Sequence, residues 1–245
     1  MNYQVMGADR WRHAPSLAAM GPERLRFYLS FEPSQGDYRL RLRKPPRDTF
    51  IAQTVDLADR SDIDRSVPGG GIVDTAIDVS NGLMFVSDPL AEPVEFSGLF
   101  SGRLELIINK KDLDFNIQLY ELTPKGEYVR LSYYWARASH VGDRVHRRLL
   151  TPGKRERLDF ESGRLTSRRF DAGSRLVMVL SIVMQPNAQI NYGTGKDVSD
   201  EMIVDAKEPL TIRWVGGFID VPIRRPGQRV PRGGCRSRSA GCPRR

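Results

Sequence analysis

The stretch KDLDFNIQLYELTPKG, residues 111–126, predicts a turn, a half-buried strand and a second turn. Phe115, Ile117 and Leu119 alternate with polar residues, which places the three side chains on one face of an extended chain. Pro124 and Gly126 are typical of the turn that ends such a strand. The pattern therefore indicates a β-strand with one apolar face.

A second strand signal lies at residues 176–184, LVMVLSIVM, where Ser181 is the single polar residue. An extended segment that is apolar on both faces is typical of a central strand that is covered on both sides. Other alternating or apolar segments are bounded by Gly- and Pro-containing turns. These further predicted strands lie at residues 24–29, 39–43, 83–86, 94–97, 104–108, 128–135, 158–160, 165–170, 210–214 and 218–223.

Many short strands, with no amphipathic helix longer than about ten residues, predict an all-β sandwich. We divide the 245 residues into an irregular segment (1–23), the sandwich (24–223) and a tail (224–245). Residues 44–82 predict a long loop with a short strand at 50–57. The tail consists mainly of Arg, Pro, Gly and Ser, so we expect it to be disordered.

The formal net charge of +8 suggests a nucleic-acid partner, but its distribution argues against one. Eight of the 38 Lys and Arg residues lie in residues 224–245, which contain no acidic residue. The rest of the chain carries 30 basic and 30 acidic side chains and is electrically balanced. Nucleic-acid binding by the predicted sandwich is therefore disfavoured.

No targeting or membrane signal is evident. Residues 1–6 lack the basic and apolar regions of a signal peptide, and no apolar run reaches the roughly 18–20 residues of a membrane helix. We expect a cytoplasmic protein without a membrane partner. Cys235 and Cys242 both lie in the tail without a nearby histidine, so they predict neither a disulfide framework nor a zinc site.

The sequence also lacks a recognisable catalytic motif. A serine hydrolase elbow requires Gly-x-Ser-x-Gly, which does not occur; GLFSG at residues 98–102 has the wrong spacing and predicts a turn between strands. GTGK at residues 193–196 has neither the earlier glycine nor the following hydroxyl of a phosphate-binding loop, and we interpret it as an ordinary loop.

The remaining polar candidates are three histidines and an acidic pair. His13, His140 and His146 are interpreted as surface-loop residues, although a catalytic pair of a histidine with Asp143 stays an alternative. Asp112 and Asp114 are interpreted as acceptors for turn amides rather than as calcium ligands or acid–base groups. We therefore assign no catalytic, cofactor-binding or metal-ligating residue.

Several blocks of the sequence, taken in order, resemble the C-terminal part of the cocaine esterase / X-Pro dipeptidyl-peptidase family of α/β-hydrolases (CocE/NonD type). This family includes glutaryl-7-aminocephalosporanic acid acylases and α-amino acid ester hydrolases. The blocks are YQVMG (3–7) with Trp11-Arg12, residues 25–29, SDPL (87–90) with FSG (96–98), residues 112–126, TPG (151–153), DAGSRL (171–176), NYGTG (191–195) and residues 218–223.

The resemblance implies a jelly-roll sandwich of the galactose-binding type, which packs on a hydrolase domain and walls its active site. The family's Ser–Asp–His triad lies in that upstream domain, so no catalytic residue is carried over. The resemblance implies a detached domain, with residues 1–23 as a linker remnant after a missing hydrolase domain. The expected partner is an α/β-hydrolase catalytic domain, and we also expect a tendency to self-associate.

Two alternatives remain open. The first is a carbohydrate- or ligand-binding jelly roll that uses Tyr133, Tyr134 and Trp135. Because consecutive strand residues point to opposite faces, at least one of the three is expected in the core. The second is a nucleic-acid binder that uses the arginine-rich tail.

Overall fold

The computed structural model describes residues 1–34, 36–46, 49–61, 70–185 and 187–227. Nearly all regular structure in these ranges is β, with three short 3-10 helices at Ala138–His140, Val198–Asp200 and Ile203–Ala206. The strands are β1 (Asn2–Val5), β2 (Arg10–His13), β3 (Glu23–Ser34), β4 (Asp37–Arg41), β5 (Ile51–Val55), β6 (Val73–Asp74), β7 (Gly82–Ser87), β8 (Val94–Gly98), β9 (Ser101–Ile108), β10 (Asp114–Leu122), β11 (Tyr128–Arg137), β12 (Arg155–Glu161), β13 (Thr166–Phe170), β14 (Arg175–Ile182) and β15 (Leu210–Arg224).

All strands except β1 and β2 belong to one large curled sheet. Its main path runs β12-β9-β15-β3-β4-β7-β14-β10-β11-β6, with β5 and β8 also paired to β15, and β13 paired to β8. β4 connects the half of the sheet that ends at β3 with the half that begins at β7, since it pairs antiparallel with β3 and parallel with β7. Side chains from both halves, including Phe27, Leu106, Ile117, Leu180 and Trp214, share one buried core. The predicted all-β sandwich is confirmed.

The predicted central strand is also confirmed. β14 lies between β7 and β10, and both pairings are antiparallel. Met178 and Leu180 point into the main core, whereas Val177 and Val179 pack with Tyr120 in a second apolar cluster on the opposite face. Burial of both faces explains the nearly continuous apolar run.

The expectation of an irregular segment at residues 1–23 is wrong for residues 2–13, where β1 and β2 form an antiparallel hairpin, whereas residues 14–22 contain no strand. Arg12 binds the buried carboxylate of Glu95 through Nε at 2.7 Å, and Arg10 binds the same carboxylate. The Met6 amide donates to the Ser167 carbonyl at 3.0 Å, which fixes the hairpin to β13. The strands are four residues long and β2 is mostly exposed, so they leave little periodic signal.

The predictions for the long loop (44–82) and for the tail (224–245) have different outcomes. The short strand expected at 50–57 is β5, whereas residues 62–69 lie outside the described residues. β15 continues to Arg224, whose buried side chain donates to the carbonyls of Ala19 at 2.6 Å and Met20 at 3.2 Å. The predicted start of the tail at residue 224 is therefore too early. The composition of the segment places Arg224 in solvent, but two backbone carbonyls bind its buried guanidinium. Residues 228–245 lie outside the described residues.

The position of β14 predicts the effect of a charge in the core. Leu180 is 1% exposed, so Leu180→Asp buries a carboxylate without a partner and is expected to lower the free energy of unfolding by roughly 3 kcal/mol or more. Urea unfolding followed by circular dichroism measures the loss. The control Leu165→Asp changes a leucine that is 44% exposed and should have little effect. Equal stability of the two variants would contradict the position of β14.

Candidate functional site

A cavity of about 610 Å³ opens beside the end of β11. We call it the aromatic cavity, because Tyr133, Tyr134 and Trp135 form one side of it. The 3-10 helix Ala138–His140 follows directly, and the turn between β12 and β13 also contributes to the lining. The lining residues are Tyr133, Tyr134, Trp135, Ala136, Arg137, His140, Val141, Arg144, Gly163 and Arg164.

Strand geometry divides the three aromatic residues between two faces. Tyr134 points toward the core, where its ring stacks on Phe160 with a centroid distance of 5.1 Å and lies 6.1 Å from Phe115. This confirms that at least one of the three rings packs on the core. Trp135 remains 49% exposed, and the Arg164 guanidinium lies 4.1 Å from the centre of the Tyr133 ring. Trp135 therefore presents the most accessible aromatic surface of the cavity.

The lining carries three arginines and no acidic residue. Arg137 is neutralised by Asp114 through two hydrogen bonds of 2.9 and 3.0 Å, and hydrogen bonding to Asp114 raises the pKa of Arg137. Neither Arg144 nor Arg164 has a carboxylate within ion-pair distance in the described part of the chain. Burial raises the pKa of Tyr134, and the nearby charge of Arg144 opposes that shift. The cavity is therefore aromatic and electropositive.

Asp112 organises the helix that walls the cavity. Its carboxylate is buried and accepts hydrogen bonds from the Leu113 amide (3.0 Å), the Ser139 amide (2.9 Å), Ser139 Oγ (2.7 Å) and Arg147 Nη2 (3.1 Å). The expectation that Asp112 satisfies turn amides is confirmed. Asp114 differs, since it binds the side chains of Arg137 and Asn191.

The histidines do not converge on one site. His13 contacts Asn2 at 2.8 Å and His146 contacts Asp143 at 2.9 Å, and both pairs are exposed. His140 lines the aromatic cavity, where its Nδ1 is buried and has no hydrogen-bond partner among the described residues. Those residues also contain no group of three or more His, Cys, Asp or Glu side chains that could hold a metal ion.

The GTGK segment is an internally bonded loop, as expected. The amides of Tyr192 and Thr194 each donate to the Glu201 carboxylate at 2.7 Å, and Lys196 Nζ lies 3.0 Å from Asp205 Oδ1. Its polar groups are thus bound by acidic side chains of the same protein. No helix in the described ranges is both long and apolar enough to cross a membrane.

A second surface feature was missed by the sequence analysis. Met202, Ile203 and Val204 are 67%, 59% and 59% exposed, although all three are large and apolar. We call these three residues the apolar patch. Their only sequence signal is an apolar triplet between Glu201 and Asp205, which is too short to be periodic.

The fold is that of a β-sandwich domain with two distinctive surface features. The chain belongs to the family of X-Pro dipeptidyl-peptidase C-terminal non-catalytic domains, whose family model matches residues 1–208. This confirms the resemblance found in the sequence. No curated protein sequence matches the chain.

Solved structures show the same fold. An aminopeptidase from a marine sediment archaeon, Thaumarchaeota archaeon, superposes with a TM-score of 0.73 at 19% identity, over 91% of this chain and 40% of its own. An α-amino acid ester hydrolase gives 0.71 at 17% identity, over 91% and 41%. A CocE/NonD family hydrolase from Staphylococcus aureus gives 0.57 at 14% identity, over 90% and 40%. The chain thus spans about two fifths of these enzymes.

The Asp112 contacts predict a stability effect. Asp112→Asn puts an amide donor among buried donors and is expected to lower the free energy of unfolding by about 2–4 kcal/mol. Chemical denaturation measures this loss. Asp143→Asn, at an exposed aspartate, serves as the control and should leave the unfolding midpoint nearly unchanged. If both variants unfold at the wild-type midpoint, Asp112 does not hold the cavity wall.

Proposed function

We propose that this chain packs against an α/β-hydrolase catalytic domain and helps to wall its active site. Membership in a non-catalytic C-terminal domain family supports this proposal. So does its match to about two fifths of an aminopeptidase and of an ester hydrolase, which leaves most of each enzyme for other domains. The catalytic domain belongs either to the same protein or to a separate chain.

The apolar patch is the observation that carries the docking proposal. Three consecutive exposed apolar side chains are costly in water, and such surfaces mark protein–protein contacts. A hydrolase domain is the partner that family membership indicates. Docking would cover Ile203 and Val204, and without that partner the same patch favours self-association.

Docking is tested with Ile203→Asp. The wild-type chain is mixed with a separately expressed α/β-hydrolase catalytic domain of the same family from the source organism, and binding is measured by calorimetry. A charge in a desolvated contact is expected to weaken binding at least about tenfold, equivalent to about 1.4 kcal/mol. Sedimentation velocity should also show less self-association.

Ile72→Asp is the matched control, because Ile72 is 73% exposed and lies outside the patch. It should bind the catalytic domain as the wild type does. Binding that is equally strong in wild type, Ile203→Asp and Ile72→Asp would exclude the apolar patch as the contact. Failure of the wild type to bind would contradict the proposed function itself.

The same proposal predicts no turnover by the purified chain. Acyl transfer needs a nucleophile, a base and an oxyanion hole in one site, and the sequence contains no nucleophile elbow. We expect no hydrolysis of esters, β-lactam side chains or X-Pro peptides above background. Labelling by a serine-directed fluorophosphonate probe, accompanied by turnover, would refute a non-catalytic role.

A second candidate function is ligand binding in the aromatic cavity. Its volume of about 610 Å³ lies in the range of small-molecule sites, and Trp135, which is about half exposed, lines it. Ligand binding and hydrolase docking use different residues, so variants separate the two functions.

A further inference from the structure

We propose that the aromatic cavity binds a carboxylated sugar ring of the uronic acid type, with Trp135 as the stacking surface and Arg144 and Arg164 as the carboxylate-binding groups. This inference rests on the second candidate function, ligand binding in the cavity. It adds the chemical class of the ligand. A free uronic acid and the terminal ring of an acidic oligosaccharide present the same group.

The charge of the cavity is the first argument. Several arginines of the protein are matched to carboxylates, such as Arg26 to Asp220, Arg103 to Asp159 and Arg147 to Asp112, and others, such as Arg175 and Arg224, bind backbone carbonyls. Arg137, within the lining, is likewise matched to Asp114. Arg144 and Arg164 have no such partner among the described residues, although both line the same cavity. Two uncompensated guanidinium groups favour an anionic ligand, and their planar donor geometry suits a carboxylate.

The aromatic surface is the second argument. Tyr134 is occupied by its stacking on Phe160, and the guanidinium of Arg164 covers the Tyr133 ring. Trp135 is therefore the most exposed of the three rings, with about half of its surface accessible. A single open ring offers a flat apolar surface on which the C–H face of a sugar ring can stack.

The experiment compares galacturonate with its methyl ester, which keeps the ring and removes the charge. The chain contains three tryptophans, so a Trp11→Phe background reduces signal from an exposed ring outside the cavity, while Trp214 is buried. Binding is followed by tryptophan fluorescence and by calorimetry. We expect galacturonate or its trimer to bind at least about tenfold more tightly than the matching methyl ester.

The variants assign this preference to residues. Arg144→Gln combined with Arg164→Gln should reduce galacturonate affinity to that of the ester, while Arg148→Gln removes a charge outside the cavity and should change nothing. Trp135→Ala should abolish binding of both sugars. Thermal melting verifies that each variant is folded, as expected for substitutions at exposed positions.

The outcomes distinguish the two levels of the proposal. Equal affinity for acid and ester would overturn the inference and leave sugar binding in the cavity intact. Binding of neither sugar would overturn the inference, and binding of adenosine monophosphate or inorganic phosphate in their place would also do so. The docking experiment with Ile203→Asp is independent of all these results.

Discussion

Burial of β14 on both faces is the constraint on which the sandwich depends. The strand pairs with β7 on one side and β10 on the other, so its backbone groups are satisfied within the sheet while its side chains are covered above and below. β10 in turn carries β11, and β11 ends at the aromatic residues of the cavity. The candidate site is thus placed by strands that are anchored to the most buried segment of the chain.

One buried carboxylate connects the two surfaces. Asp112 binds Ser139 in the helix that walls the aromatic cavity, and it also binds Arg147. Arg147 donates to the Lys196 carbonyl at 2.7 Å. The side chain of Lys196 forms an ion pair with Asp205, which directly follows the apolar patch in the sequence. A hydrolase domain docked on the patch and a ligand held in the cavity would therefore rest on the same hydrogen-bond network.

The sequence predicts the central strand and the sandwich because both follow from apolar periodicity, as in residues 176–184. It fails for β1 and β2, since a hairpin of four-residue strands is fixed by distant contacts such as Arg12 with Glu95. For the site, Tyr133, Tyr134 and Trp135 are visible as an aromatic run, whereas Arg144 and Arg164 join them only through the fold. The exposure of residues 202–204 likewise cannot be predicted from composition, because a short apolar triplet does not by itself indicate whether its side chains are buried or exposed. The galactose-binding character of the jelly roll stays a prediction.

The buried acidic groups of the domain are engaged in contacts within the fold. A general base needs a carboxylate or imidazole that is free to take a proton from a substrate. Here Glu95 is bound by two arginines, Glu121 by Arg168 and Ser174, and Glu201 by the amides of Tyr192 and Thr194. These carboxylates fix the hairpin, the strands and the loops in place, so their hydrogen-bonding capacity is used within the fold. Under the proposed docking, such a domain would present a fixed wall and a fixed cavity, and the reacting groups would come from the catalytic domain.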